Sequence, residues 1–122
     1  MHYKFLGKSG VKVSEIAFGV QTFGWCADEQ TAYTILDRFV EAGGNLLDTA
    51  NIYNEGKAEQ ILGNWLQSRK NRDALVIATK VFFPTGNGPN DTGLTRKHIY
   101  HQIDKSLQRL NTDYVDLYQL HC

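Results

Sequence analysis

An α/β fold with parallel strands is what this sequence predicts, and three observations carry it. Short apolar runs alternate with longer stretches whose apolar residues recur at spacings of three and four, the signatures of strand and helix. One run, Ala74 to Thr79 (ALVIAT), is apolar almost throughout, as expected of a central strand buried on both faces. The strand-like runs end at Gly19, Asp48, Lys80 and His121, separated by 29, 32 and 41 residues, lengths that suit right-handed β-α-β crossovers.

Taken in order, Tyr3 to Ile16 reads as two alternating segments around the glycine-containing turn GKSG, a small β-hairpin. Ile16 to Gly19 is a very short strand, and VQTFGWCA is a loop with two large aromatics. Asp28 is placed to cap a helix starting at Glu29, whose stripe is Ala32, Ile35, Leu36, Phe39 and Val40. Gly43 or Gly44 supplies the left-handed residue that ends it. Asn45 to Asp48 is the second strand. Gly56 precedes a second helix with Ala58, Ile61, Leu62, Trp65 and Leu66 on its buried side, and SRKNRD is a solvated linker. After the third strand, Pro84 to Gly93 is a polar loop rich in glycine. Thr95 caps a third helix with Ile99, Ile103, Leu107 and Leu110 on one side, and Tyr114 to Leu120 is the fourth strand, interrupted by Asp116 and Gln119.

The order is therefore a β-hairpin followed by β-α-β-α-β-α-β. No strand leads into a Gly-x-Gly-x-x-Gly turn, so the doubly wound dinucleotide fold has no support. Units of this length build (β/α)8 barrels, whose active sites collect at the C-terminal strand ends, but eight of them need roughly 250 residues. With 122 residues, the choice lies between a small open α/β domain and the front half of a barrel. The chain stops just after a buried-looking strand that ends in a candidate catalytic histidine. It is thus expected to be the N-terminal half, residues 1–122, of a single barrel domain.

Composition narrows the partners. The chain is 42% hydrophobic and 21% charged, a globular balance. Its 13 basic residues offset its 13 acidic ones, which argues against nucleic acid or an anionic membrane surface as the main partner. There is no apolar signal core, and no run is long enough to span a bilayer. Cys26 and Cys122 have neither metal-like spacing nor a disulfide-dense context, and they read as buried or incidental. A reducing, cytoplasmic setting is expected.

Four residues at strand ends and the loop between them suggest one site: Asp48, Tyr53, Lys80 and His121. Taken singly, each has an ordinary reading: a turn cap, a loop aromatic, a snorkelling lysine and a surface histidine. Together they make chemical sense. A lysine at the end of an apolar strand needs a counter-charge, which Asp48 on the neighbouring strand supplies. An ammonium beside the Tyr53 phenol would favour its phenolate and make it a better acid. Tyr53 could then protonate a carbonyl oxygen, and His121 could orient that oxygen with a hydrogen bond. No metal is required. The matching reaction adds hydride to a carbonyl carbon, and since side chains carry no hydride, a nicotinamide cofactor must supply it. His2, His98 and His101 have no partners at ligand spacing and receive no role.

The segments Gly19-Val20-Gln21-Thr22-Phe23-Gly24, Leu47-Asp48-Thr49-Ala50 with Tyr53, Gly56-Lys57-Ala58-Glu59-Gln60-Ile61-Leu62-Gly63, Ala78-Thr79-Lys80 and Asp116-Leu117-Tyr118-Gln119-Leu120-His121 resemble the aldo-keto reductases. Within that family they are most similar to the bacterial-type branch, which is also similar to potassium-channel beta subunits. The resemblance covers essentially the whole chain in order. It implies a (β/α)8 barrel that uses NADPH to reduce aldehydes and ketones, with Tyr53 as acid, Lys80 lowering its pKa, Asp48 as the lysine's partner and His121 orienting the substrate. It further implies cofactor contacts at Val20, Gln21 and Asp48 and a substrate pocket at Trp25, Tyr53 and His121. Many relatives carry threonine where Val20 stands. The family's grip on the adenine and phosphate of NADPH comes mostly from the second half of the barrel, so the 122 residues alone are expected to be inactive.

Two other readings remain open at this level. One is a non-enzymatic or redox-sensing regulatory subunit on the same scaffold. The other is an isolated half-barrel, whose two parallel edges and inner face would favour self-association.

Overall fold

The computed structural model describes all 122 residues, Met1 to Cys122. Strands β1 (Tyr3–Phe5) and β2 (Lys12–Ser14) form the antiparallel hairpin, with Lys4 opposite Val13. Its turn uses Gly7 and Gly10 at φ of 55° and 79°, a region costly for residues with a Cβ. Asn45 fastens the hairpin to the sheet. Its Oδ1 accepts from the Ser14 N–H at 2.6 Å, its own N–H reaches Ser14 Oγ at 3.1 Å, and its side-chain amide donates to the Lys12 carbonyl at 3.0 Å.

Strands β3 (Phe18–Gly19), β4 (Leu46–Asp48), β5 (Val76–Val81) and β6 (Leu117–Leu120) make one parallel sheet in the spatial order β3-β4-β5-β6. They are joined by helices α1 (Glu29–Glu41), α2 (Lys57–Arg69) and α3 (Arg96–Leu110). Spatial order follows chain order without reversal, so every crossover winds the same way. That is the winding of a barrel wall, whereas a doubly wound sheet switches direction. The fold is α/β, a partial (β/α)8 barrel.

Period-two alternation divides the sheet into two faces. Leu47 and Ile77 point to the helices and join Leu36, Leu62, Trp65, Leu66 and Leu110 in the main core. The opposite, concave face carries Gly19, Leu46, Asp48, Ala78, Leu117 and Gln119, with Leu6 and Ala17 beside them, around a hollow of about 480 Å³. The chemistry-bearing side chains lie on this second face or at its rim.

The expected caps are present. Asp28 accepts from the Thr31 N–H at 2.8 Å, and this hydrogen bond holds its carboxyl below the usual carboxylate range. Thr95 accepts from the His98 N–H at 3.2 Å. Gly43, at φ 89°, is the left-handed residue after α1. Gly63 lets α2 approach α3, since a Cβ there would lie 2.3 Å from the Arg109 carbonyl oxygen.

Several details depart from the sequence reading, and the first parallel strand covers Phe18–Gly19 rather than Ile16–Gly19. The third strand starts at Val76 rather than Ala74 and continues through Lys80 to Val81. Arg72 explains the late start: its guanidinium donates to the carbonyls of Leu75 and Tyr114 and to Asp116 Oδ2, holding Arg72–Ala74 in a 3-10 turn. The fourth strand begins at Leu117, because the Asp116 carboxylate takes the Ile77 N–H at 2.8 Å in place of a strand carbonyl. In α3 the fully buried line is His98, Gln102, Ser106 and Leu110, whereas Ile99, Ile103 and Leu107 are half-buried. Gln102 is drawn in by hydrogen bonds that periodicity does not show, from Asn51 at 3.0 Å and to Thr85 at 2.9 Å.

Candidate active site

The C-terminal end of β4 delivers Asp48, and the chain then turns over the sheet into the 3-10 segment Tyr53–Gly56. That turn is tight. Asn54, Glu55 and Gly56 have φ of 47°, 54° and 88°, and the two non-glycine residues there carry backbone strain of the kind found at functional sites. The turn places the Tyr53 ring above the strand ends. β5 contributes Lys80 on the same side, and the residue after β6 is His121.

Lys80 Nζ is the hub. It lies 2.6 Å from Asp48 Oδ2, 2.8 Å from the Thr49 carbonyl oxygen and 3.2 Å from Tyr53 Oη. An ammonium has three protons and no lone pair, so these contacts use all of its donors. Tyr53 Oη is therefore an acceptor toward Lys80, and its own proton is left to donate elsewhere. The Lys80 and Asp48 side chains are 12% and 32% exposed, so the pair is shielded from water and still open toward the barrel mouth. Gln119 Nε2 donates to the second Asp48 oxygen, Oδ1, at 2.8 Å.

His121 stands edge-on to Tyr53, with ring centroids 5.7 Å apart, and edge-on to Phe83 at 4.9 Å. Its backbone N–H continues the sheet by donating to the Val81 carbonyl at 3.1 Å. Its Nδ1 is buried and has no hydrogen-bond partner. Burial first, and then the Lys80 ammonium, push the imidazole below its ordinary pKa of 6.5, while Asp48 opposes them. The ring is accordingly neutral at physiological pH. The unfolded chain takes up this proton at higher pH than the native state, so the native state is disfavoured as pH falls below 6.5. In an NMR titration, Lys80→Met is expected to raise the His121 midpoint, and burial should still hold it below the free-imidazole value. A midpoint that falls or stays unchanged would contradict this electrostatic assignment.

Tyr53 and His121 line a cleft of about 360 Å³ with Gln21, Trp25, Ile52, Asn54 and Phe83. None of these seven residues carries a fixed charge. A second cleft of about 400 Å³, on the far side of Ile52, is lined by Asn51, Glu55, Gln102, Lys105 and Arg109 among others. None of the four site residues faces it.

The structure thus brings Asp48, Tyr53, Lys80 and His121 together, and it places Gln21 and the 76% exposed Trp25 at the same cleft. Val20 is a correction. It is fully buried in the core, and its N–H is taken by the Asp48 carbonyl at 3.0 Å, so it offers neither surface nor donor to a ligand. Cys26 and Cys122 are both exposed, so of the two readings, buried or incidental, the first falls. Sequence reasoning missed Gln119, Phe83 and the Thr49 carbonyl. Strand parity could have flagged Gln119, which sits two residues before His121 and hence on the same face. No periodicity reports a backbone carbonyl. No helix is long and apolar enough to cross a membrane.

Comparison with known proteins identifies the family to which the chain is similar. The aldo/keto reductase family model matches residues 15–122. The chain is 42% identical over 130 residues to the uncharacterised oxidoreductase YrpG of Bacillus subtilis, covering 99% of this chain and 40% of that protein. It is 46% identical over 123 residues to a probable voltage-gated potassium channel subunit beta of Arabidopsis thaliana, covering 99% and 37%. Among solved structures, the holo form of aldo-keto reductase AKR11C1 from Bacillus halodurans matches with a TM-score of 0.82 and 39% identity, over 98% of this chain and 40% of that one. The chain therefore spans about two fifths of the length of these relatives.

Proposed function

This chain belongs to the aldo/keto reductase family, and from that premise we propose that it carries the proton-delivering site of an NADP(H)-dependent carbonyl reductase. One observation supports the reading above the rest. Lys80 Nζ spends its three donors on Asp48, the Thr49 carbonyl and Tyr53 Oη, which leaves the Tyr53 proton free to face an uncharged cleft. A carbonyl oxygen seated there accepts hydrogen bonds from the Tyr53 hydroxyl and from His121, and both strengthen as negative charge develops on it. A nicotinamide cofactor, when bound, supplies the hydride that reaches the carbonyl carbon. Tyr53 gives its proton to the oxygen, and the phenolate left behind lies beside the Lys80 ammonium, which stabilises it. Asp48 keeps Lys80 in place. Gln21 and Asp48, with Gly19, where nothing lies within 4 Å of the position a Cβ would take, are the residues of this chain that fit a cofactor at the strand ends; Val20 does not.

The activity is assigned to the barrel as a whole. In the proposed protein these residues form the N-terminal half of the barrel domain and work in the cytoplasm. Alone they present only half of a barrel mouth, are expected to turn over poorly, and have two unpaired strand edges, β3 and β6, that favour self-association. The test is consumption of NADPH by the full-length protein over a panel of aldehydes and ketones, with the alcohol identified as product. Absence of both turnover and any thermal shift with NADPH would overturn the assignment.

A second reading, a regulatory subunit with little turnover, draws on the similarity to a probable channel beta subunit. A stable complex with a membrane partner, combined with negligible activity on the same panel, would favour it.

A further inference from the structure

We propose that Gln119 is a positioning residue for this reaction, clamping one oxygen of Asp48 so that the other stays on Lys80; the role rests on the reading of Tyr53 as proton donor. Gln119 belongs to β6 and Asp48 to β4, so the 2.8 Å hydrogen bond from Nε2 to Oδ1 crosses the whole of β5. Two features allow the reach. Gln119 is level with Lys80, and Asp48 is level with Ala78, so the amide passes over Ala78, whose methyl leaves room. Asp48, Ala78 and Gln119 line the same concave hollow.

The contact does something that the Lys80 ion pair cannot do alone. With its side chain 32% exposed, Asp48 has freedom to turn its carboxylate toward solvent, and a single bond to Lys80 fixes only one oxygen. Holding Oδ1 from β6 leaves Oδ2 aimed at Nζ, and Nζ in turn stays 3.2 Å from Tyr53 Oη. An amide is the suitable group for this clamp. A second cation would compete with Lys80 for Asp48, a carboxylate would repel Asp48, and an aliphatic side chain would leave Oδ1 without its donor. Gln119 makes no hydrogen bond to Tyr53 or His121, so it acts through Asp48 and Lys80.

The experiment uses the full-length protein with two variants, Gln119→Met, which keeps the side-chain length, and Gln119→Glu. Losing a hydrogen bond to a charged group should lower kcat by about 10-fold in Gln119→Met, with KM for NADPH and carbonyl unchanged. At neutral pH, Gln119→Glu should be at least as impaired. As pH falls it should regain activity relative to Gln119→Met, because a protonated carboxyl can again donate to Asp48. The titratable groups facing this position are Asp48 and Lys80, with Tyr53 and His121 beyond, and both variants carry all four. The difference between the two pH profiles therefore isolates position 119, and a merely structural role would not produce it. Wild-type kcat in Gln119→Met, or parallel pH profiles for the two variants, would overturn the proposal. Tyr53→Phe is run alongside. If it is inactive while Gln119→Met is wild type, only the positioning role falls. If Tyr53→Phe is fully active, the acid assignment falls and this role goes with it.

Discussion

Tyr53→Phe in the full-length protein is expected to lower kcat by about 10² to 10⁴-fold, the range that a positioned general acid contributes, while NADPH binding is retained. The change deletes one oxygen. Lys80 keeps its two shorter contacts, to Asp48 at 2.6 Å and to the Thr49 carbonyl at 2.8 Å, so the cationic hub stays in place. The phenyl ring can keep its edge-on packing against His121, and the neutral cleft keeps its shape. What disappears is the proton that the geometry leaves pointing into that cleft. Steady-state kinetics combined with a cofactor titration measure both quantities. Turnover within a few-fold of wild type would remove Tyr53 from the chemistry, and a simultaneous loss of cofactor binding would mean that its role is structural.

The largest expected effect on stability lies in a different cluster. Glu59 sits in the first turn of α2 and is fully buried. One carboxylate oxygen accepts from Thr79 Oγ1 on β5 at 2.6 Å, and the other accepts from Arg109 Nε on α3 at 2.7 Å. One side chain thereby ties two helices and the sheet together. Arg109→Met should destabilise the fold by about 3–5 kcal/mol, because it leaves a carboxylate in the interior without its cation. Adding Glu59→Gln to Arg109→Met should recover part of the loss by removing the stranded charge. Urea unfolding of wild type, both single variants and the double variant closes the cycle. A double variant less stable than Arg109→Met would refute the view that the buried charge causes the damage. Arg109 also covers Gly56, where an added Cβ would lie 2.7 Å from its Cδ, so the same replacement loosens support under the turn that carries Tyr53.

Glu59 shows where sequence reading stops. The segment GKAEQILG carries the family resemblance, and Glu59 lies within it, yet its burial and both its partners come from residues 20 and 50 positions away. Periodicity places apolar residues well because burial of a stripe is decided by the helix it belongs to. It is silent on a polar residue whose burial is stabilised by a distant partner. The same blindness explains Gln102 of α3, which is more deeply buried than Ile99 and Ile103 and is held by Asn51 and Thr85. It explains Asp116 too. That residue interrupts an otherwise apolar strand and proves to hold Arg72 and the Ile77 N–H at the foot of the sheet.

By itself, the sequence determined the element order, the helix caps at Asp28 and Thr95, a left-handed exit at Gly43 or Gly44, and the four polar residues that the fold brings together. Each of these follows from local properties: a hydrophobic period, a short polar side chain that can reach a free N–H, a glycine without a Cβ, or chemistry-bearing residues at successive strand ends. Only the tertiary structure decided that Val20 is core while Gln21 faces the cleft, that Lys80 spends its three donors so as to leave the Tyr53 proton free, and that Gln119 reaches over Ala78 to Asp48. Those facts depend on strand register and on distances between segments 27 to 71 residues apart. Such distances arise only when the strands pair into one sheet and side chains from different strands come to share one face.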